Sequence, residues 1–187
     1  RWIKADKVKA NEYNPNKVAS TALYSSVIIG AILIIIATIL LKPILTLLGA
    51  TDTIMPYALT YARIYIISCI FNVFNVTMNN IVASEGAAKT TMCALLLGAI
   101  INIGLDPLFI YTFDMGVAGA AIATAISQFV STLVYLSYAF RKKSAFTFSI
   151  KAFEPTKQIF MEILKIGVPT LTFQLLTSLS IALINRA

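Results

Sequence analysis

Histidine is absent from this 187-residue chain. That excludes His-ligated metal centres and every catalytic pair in which a histidine activates a serine or cysteine. Charge is scarce as well: 12% of the residues are Asp, Glu, Lys or Arg, against about 25% in an ordinary soluble domain. Cysteine is limited to Cys69 and Cys93, so there is no disulfide scaffold, and both read as packing residues. What the chain has in excess is apolar surface, with 58% hydrophobic residues and a mean hydropathy of +0.83. A small domain leaves much of its surface in water, so a soluble core cannot hide such an excess. The composition points away from a soluble globular protein. The chain starts at Arg1 and stops at Ala187, each within a running pattern, which predicts an internal piece of a longer protein.

A membrane-spanning helix needs about 20 predominantly apolar residues. Five runs qualify: about 18–48, 54–83, 90–111, 116–140, and from about 157 to the end. A soluble helix would carry one charged face; these do not, so the predicted fold is an all-α, polytopic membrane helix bundle.

The net charge is +7 and the pI about 9.5. In a soluble protein that balance would suggest nucleic acid as a partner. Here the placement of the charges decides. Residues 1–17 hold Arg1, Lys4, Lys7, Lys9 and Lys17, whereas Gly49–Thr53 has no basic residue. The connection Ser84–Lys89 has Lys89, TFDMG at Thr112–Gly116 has none, and residues 141–157 hold Arg141, Lys142, Lys143, Lys151 and Lys157. Basic residues fill every second connection, as the positive-inside rule expects. Residues 1–17, Ser84–Lys89 and 141–157 are therefore placed in the cytoplasm. The basic excess becomes a topology signal, and no nucleic-acid partner is expected. The predicted organisation is a cytoplasmic loop over 1–17, four helices over 18–140, a cytoplasmic linker over 141–157 containing Pro155, and a fifth helix over 158–187.

Polar side chains in hydrocarbon are costly and face partner helices or wet cavities. On the second helix Tyr61, Tyr65, Ser68, Asn72, Asn75 and Asn79 follow one another at spacings of three and four, which puts them on one face. Asn102 and Asp106 stand four apart on the third helix. Ala120, Thr124, Ser127 and Ser131 share a face of the fourth, and Thr170, Gln174 and Thr177 mark the fifth. At about 1.5 Å rise per residue, Tyr61 lies roughly 10 Å, Asp106 roughly 9 Å, Asn102 roughly 15 Å and Thr124 roughly 12 Å from the extracytoplasmic helix ends. Ser68, Ser127 and Ser131 read as bonds between helices. For the asparagine row, interhelical bonding and cavity lining stand as equal alternatives.

Asp106 stands apart because an ionised, unpaired carboxylate in hydrocarbon is expensive. It must take a proton, hold a cation, or pair with Arg63; Arg63 lies two positions from Tyr61, on the far side of its helix, and can snorkel outward instead. Oxygens of Asn102, Thr124 and Tyr61, with the Ile103 carbonyl freed by Pro107, are candidate partners for a hard cation. Gly116, Gly119, Ala120 and Ala123 read as close-packing positions. Lys42, before Pro43, reads as a snorkelling residue.

The runs NNIVASEGAAKTTM at Asn79–Met92, NIGLDPLFI at Asn102–Ile110 and MGVAGAAIATAISQ at Met115–Gln128 resemble the multidrug and toxic compound extrusion (MATE) family, in the branch of DinF-like and MepA-like efflux proteins. LLGAT at Leu47–Thr51 and KIGVPT at Lys165–Thr170 fit the same pattern. The resemblance implies a twelve-span fold in two six-helix lobes, of which this chain covers the third to seventh spans, with residues 141–157 joining the lobes. It also implies a cation-coupling site in which Asp106 and Asn102 match an N-x-x-x-D-P motif, Thr124 matches a threonine of the next span, and Tyr61 matches a tyrosine. A seventh-span glutamate of the sodium-coupled members has no counterpart here; Gln174 and Thr177 are the nearest polar residues.

The function these readings imply is a secondary active antiporter in the cell membrane, exporting amphipathic or cationic compounds in exchange for H+ or Na+, with no cofactor. Asn72, Asn75, Asn79, Tyr65 and Gln174 are the expected cavity lining; oligomeric state is not indicated. The alternative is a flippase for a lipid-linked precursor, which would need a basic groove. A membrane-embedded enzyme would need histidines, paired carboxylates or a metal cluster that the sequence does not supply.

Overall fold

The computed structural model describes residues 15–141 and 156–184, and within them the chain is helices joined by short turns. Most of the cytoplasmic loop and the linker expected at 1–17 and 141–157 lie outside the described residues. The first helix, α1, covers Pro15–Ile39. It opens on a proline, which suits a first turn because no N–H is needed there. α2 covers Leu41–Leu47. The sequence suggests one run through both, but the helix is interrupted at Leu40. Pro43 explains the break: it has no N–H for the Ile39 carbonyl, and its ring crowds that carbonyl.

α3 covers Met55–Ser84, α4 Ala88–Pro107, α5 Gly116–Phe140 and α6 Lys157–Ile184. Two turns end on left-handed glycines, Gly49 at φ 92° and Gly86 at φ 80°. After α3, the Gly86 N–H bonds the Ala83 carbonyl at 3.0 Å and the Ala87 N–H bonds Val82 at 3.2 Å, the paired closure that satisfies the last carbonyls of a helix. This closure lets α4 turn back beside α3 with two intervening connecting residues beyond the cap.

α4 ends unusually. Pro107 is its last residue, and a π-helical turn follows at Leu108–Thr112. The Phe113 N–H reaches five residues back to Leu108 at 3.0 Å. The expected helix 90–111 is thus helical throughout, but in two windings.

Four of the described helical stretches are long and apolar enough to cross a membrane: Lys17–Ile39, Met55–Ser84, Ala88–Thr112 and Gly116–Phe140. α6 is the fifth long helix. The chain divides into two units, one within Ser25–Ala145 and one within Arg1–Tyr24 and Phe146–Ala187. In the first, α5 is the central element and packs against α3, α4 and the π turn. Its core comprises Met78, Val82, Ala94, Ala121, Ala123 and Tyr135. Phe71 meets Phe129 edge to face across α3 and α5, with centroids 5.4 Å apart. Val73 of α3 lies where a side chain on Gly30 of α1 would stand, and Thr77 donates to Ser26 at 3.0 Å. In the second unit, Ala19, Ser20, Thr21 and Leu23 are buried.

Close-packing positions behave unevenly. Gly119 is buried with its α carbon against the backbone of Phe109, where an added Cβ would stand 2.8 Å from the carbonyl carbon. Ala123 is fully buried and Ala120 half-buried. Gly116 is exposed; its φ of 53° shows that it serves the loop, not a helix contact. Cys69 is half-buried, but Cys93 is exposed and not packed as expected. Its neighbour Ala94 occupies the buried side of α4, which turns Cys93 away.

Candidate functional site

A cleft of about 350 Å³ opens between α3, α4 and α5. That lies at the lower end of the range for small-molecule sites. From α3 it is lined by Asn72, Asn75 and Asn79, from α4 by Asn102, and from α5 by Thr124 and Gln128. Val76, Leu95 and Ala99 supply apolar wall. α3 and α5 contribute polar groups at spacings of three or four, so each presents one line of them to the common space, and α4 adds Asn102.

The polar groups are not loose. Asn75 is buried, and its Nδ2 donates to the Gln128 backbone carbonyl at 2.9 Å and to Gln128 Oε1 at 2.8 Å. Its Oδ1 stands 2.9 Å from the Thr132 hydroxyl, which also lies 3.0 Å from the Gln128 carbonyl. One turn further along, the Tyr135 hydroxyl donates to Asn79 Oδ1 at 3.0 Å. Beyond the cleft, Tyr138 donates to Glu85 Oε2 at 2.6 Å. Among the described residues, no buried side-chain nitrogen or oxygen is left without a partner.

Asp106 stands one helical turn from Asn102 and is half-buried, off the cleft. Asn102 Nδ2 donates to its Oδ1 at 3.3 Å. That is its one hydrogen bond among the described residues, and no ion pair ties it to Arg63, which is exposed. Asn102 therefore touches both the cleft and the carboxylate. Thr124 faces the cleft, while its hydroxyl bonds back to Ala120 at 3.0 Å.

Of the nine residues singled out from sequence, the structure brings Asn72, Asn75, Asn79, Asn102 and Thr124 to one cleft. Tyr61 and Tyr65 lie outside that lining; they stack on each other at 5.8 Å with rings 13° apart, both partly exposed. Gln174 is exposed on α6, in the other unit. The choice left open for the asparagine row resolves as both: Asn75 bonds across to α5 and also lines the cleft. Ser131 bonds across to Ala94 at 3.0 Å, as expected, while Ser68 and Ser127 bond back within their own helices.

Gln128, Thr132 and Tyr135 were not expected. Their signal was present, because Gln128 and Thr132 continue the Thr124 line at intervals of four. Among the described residues, no group of three or more His, Cys, Asp or Glu side chains is placed to hold a metal ion.

The MatE family profile matches residues 9–108. The chain belongs to the MATE family. Multidrug export protein MepA of Staphylococcus saprophyticus is 32% identical over 177 residues, covering 94% of this chain and 39% of that protein. An outward-facing multidrug resistance MATE family transporter of the MOP superfamily superposes with a TM-score of 0.82 at 34% identity, over 89% of this chain and 37% of the other. An inward-facing structure of such a transporter gives 0.78, also at 34% identity, over 82% and 35%. The chain thus spans about two-fifths of the length of the curated relatives it matches. Family, helical fold and span-forming helices agree in placing this MATE chain in the cell membrane as a multi-pass protein, and its named relatives are export proteins, not enzymes.

Proposed function

We propose that this chain is part of a secondary active antiporter that exports amphipathic or cationic compounds in exchange for H+ or Na+. The observation that supports it best is the continuity from cleft to carboxylate: Asn102 lines the cleft and hydrogen-bonds Asp106. In this reading Asp106 holds the coupling cation. Asn102, Thr124 and Tyr61 are its neutral neighbours, and Asn72, Asn75, Asn79 and Tyr65 belong to the path of the compound. Occupancy of Asp106 changes the charge at one end of the cleft. A charge change that favours one of two helix arrangements couples cation entry to release of the exported compound. A flippase for lipid-linked precursors receives less support, since among the described residues no Lys or Arg lines the cleft.

The test is cation-driven efflux by the full-length protein in proteoliposomes. Asp106→Asn should abolish gradient-driven transport of a fluorescent organic cation while leaving expression and folding intact. Undiminished transport by this variant would reject the assignment of Asp106.

A further inference from the structure

The hydrogen bonds around Asn75 fix which way the amides of the cleft point. The fixed point is a backbone carbonyl, which can only accept. Asn75 lies against the Gln128 carbonyl, so the atom it offers there must be its Nδ2. The second N–H of the same nitrogen meets the Gln128 side chain, so the atom facing it must be Oε1. The Gln128 Nε2 is then the opposite end of that amide. It takes no partner among the described residues, and the residue lines the cleft. At Asn79 the Tyr135 hydroxyl occupies Oδ1, which again leaves the NH2 group over. At Asn102 one N–H of Nδ2 is given to Asp106, and Oδ1 takes no partner among the described residues. The cleft therefore has a donor pole at Gln128 and Asn79 and an acceptor pole at Asn102. Gly98 of α4 stands beside Ser127 and Ser131, the residues that flank Gln128 on α5, and Asn102 lies four residues beyond Gly98, so the poles are separated by roughly 6 Å along the helix axis.

We propose that the cleft selects compounds that carry a hydrogen-bond-accepting oxygen as well as a cationic group, with the oxygen received by Gln128 Nε2 and the cation lying toward Asn102. Asn75 is the positioning residue that holds the Gln128 amide in its donating orientation. This rests on the reading of the cleft as the path of an exported amphipathic cation and narrows the class. A donor left facing an apolar wall by a ligand without the oxygen loses its water and gains nothing, which is how a polar site rejects the deoxygenated analogue.

The test uses two cations of matched size, 4-benzoylbenzyl-trimethylammonium and 4-benzylbenzyl-trimethylammonium, which differ by a ketone against a methylene. Equilibrium binding is measured on the purified full-length protein. The wild type should bind the ketone about tenfold more tightly, the worth of one well-made hydrogen bond in a cleft. Gln128→Leu should erase that preference, bringing the ketone to the same affinity as the methylene compound. Asn75→Asp should also erase it, because a carboxylate draws the Gln128 NH2 toward itself and turns the oxygen to the cleft. A merely structural role for Asn75 would weaken both compounds equally. Equal binding of the pair by the wild type, or a parallel loss in Gln128→Leu, would overturn the donor pole while leaving cation export standing. Failure of the wild type to bind either compound would overturn the donor pole and the reading of the cleft together.

Discussion

α5 carries two seams built from different chemistry. Toward α3 it is stitched by side chains: Asn75 to Gln128, Thr132 to Asn75, and Tyr135 to Asn79. Toward α4 it relies on missing side chains. Gly98 leaves room for Ser131, and Gly119 lets the backbone of Phe109 close in. One cross-helix bond, Ser131 to the Ala94 carbonyl, joins that seam. In hydrocarbon, apolar contact between helices gains little over apolar contact with lipid, so close approach and polar bonds hold them together. The two seams divide that work. The polar one sets the orientation of the groups facing the cleft, and the glycine one sets how near its opposite wall can come.

The glycine seam is the one a single methyl should damage most. Gly119→Ala places a Cβ against the carbonyl carbon and oxygen of Phe109 at 2.8 and 2.9 Å. Backbone cannot rotate away as a side chain can, so a loss of about 3 kcal/mol is expected. Unfolding of the full-length protein in micelles would measure it; an unchanged midpoint would show that the π turn simply moves. Asn75→Leu attacks the other seam and takes away the donor of Gln128 Oε1, while the Gln128 carbonyl keeps the Thr132 hydroxyl. It should cost about 1–2 kcal/mol, because the Gln128 side chain can recover part of the loss by turning. Gly98→Ala should cost least, about 1 kcal/mol, since the atom in the way is the hydroxyl of Ser131 and not backbone. Combining it with Ser131→Ala should recover most of that loss, a coupling that a double-mutant cycle measures directly.

The two seams were also unequally legible in the sequence. The α3 row could be read from spacing alone, because Asn72, Asn75 and Asn79 are polar in an otherwise apolar helix. The buried contact of Gly119 was expected from its small neighbours. The α5 half of the polar seam was missed because Ser127 and Ser131 define a neat line that drew the reading to one narrow stripe. Successive intervals of four drift by about 40° on a helix, so Gln128 and Thr132 sit beside that stripe and widen it into an arc. Nor does spacing reveal that Tyr61 stacks on Tyr65 outside the cleft lining, since a common helix face says nothing of what stands opposite. The interruption at Leu40 was written in Pro43, three residues on, but a long apolar run conceals such a break.

The wide winding at Leu108–Thr112 acts as a phase adjuster. A helix that takes one extra residue into a turn rotates all that follows by about 100° relative to what came before. Upstream of it, Asn102 keeps the azimuth that meets the cleft; within it, Phe109 turns its main chain toward Gly119. Taking one residue out of that winding would turn the chain beyond it by about 100°, whereas Asn102 and Asp106, which precede it, would keep their angular setting.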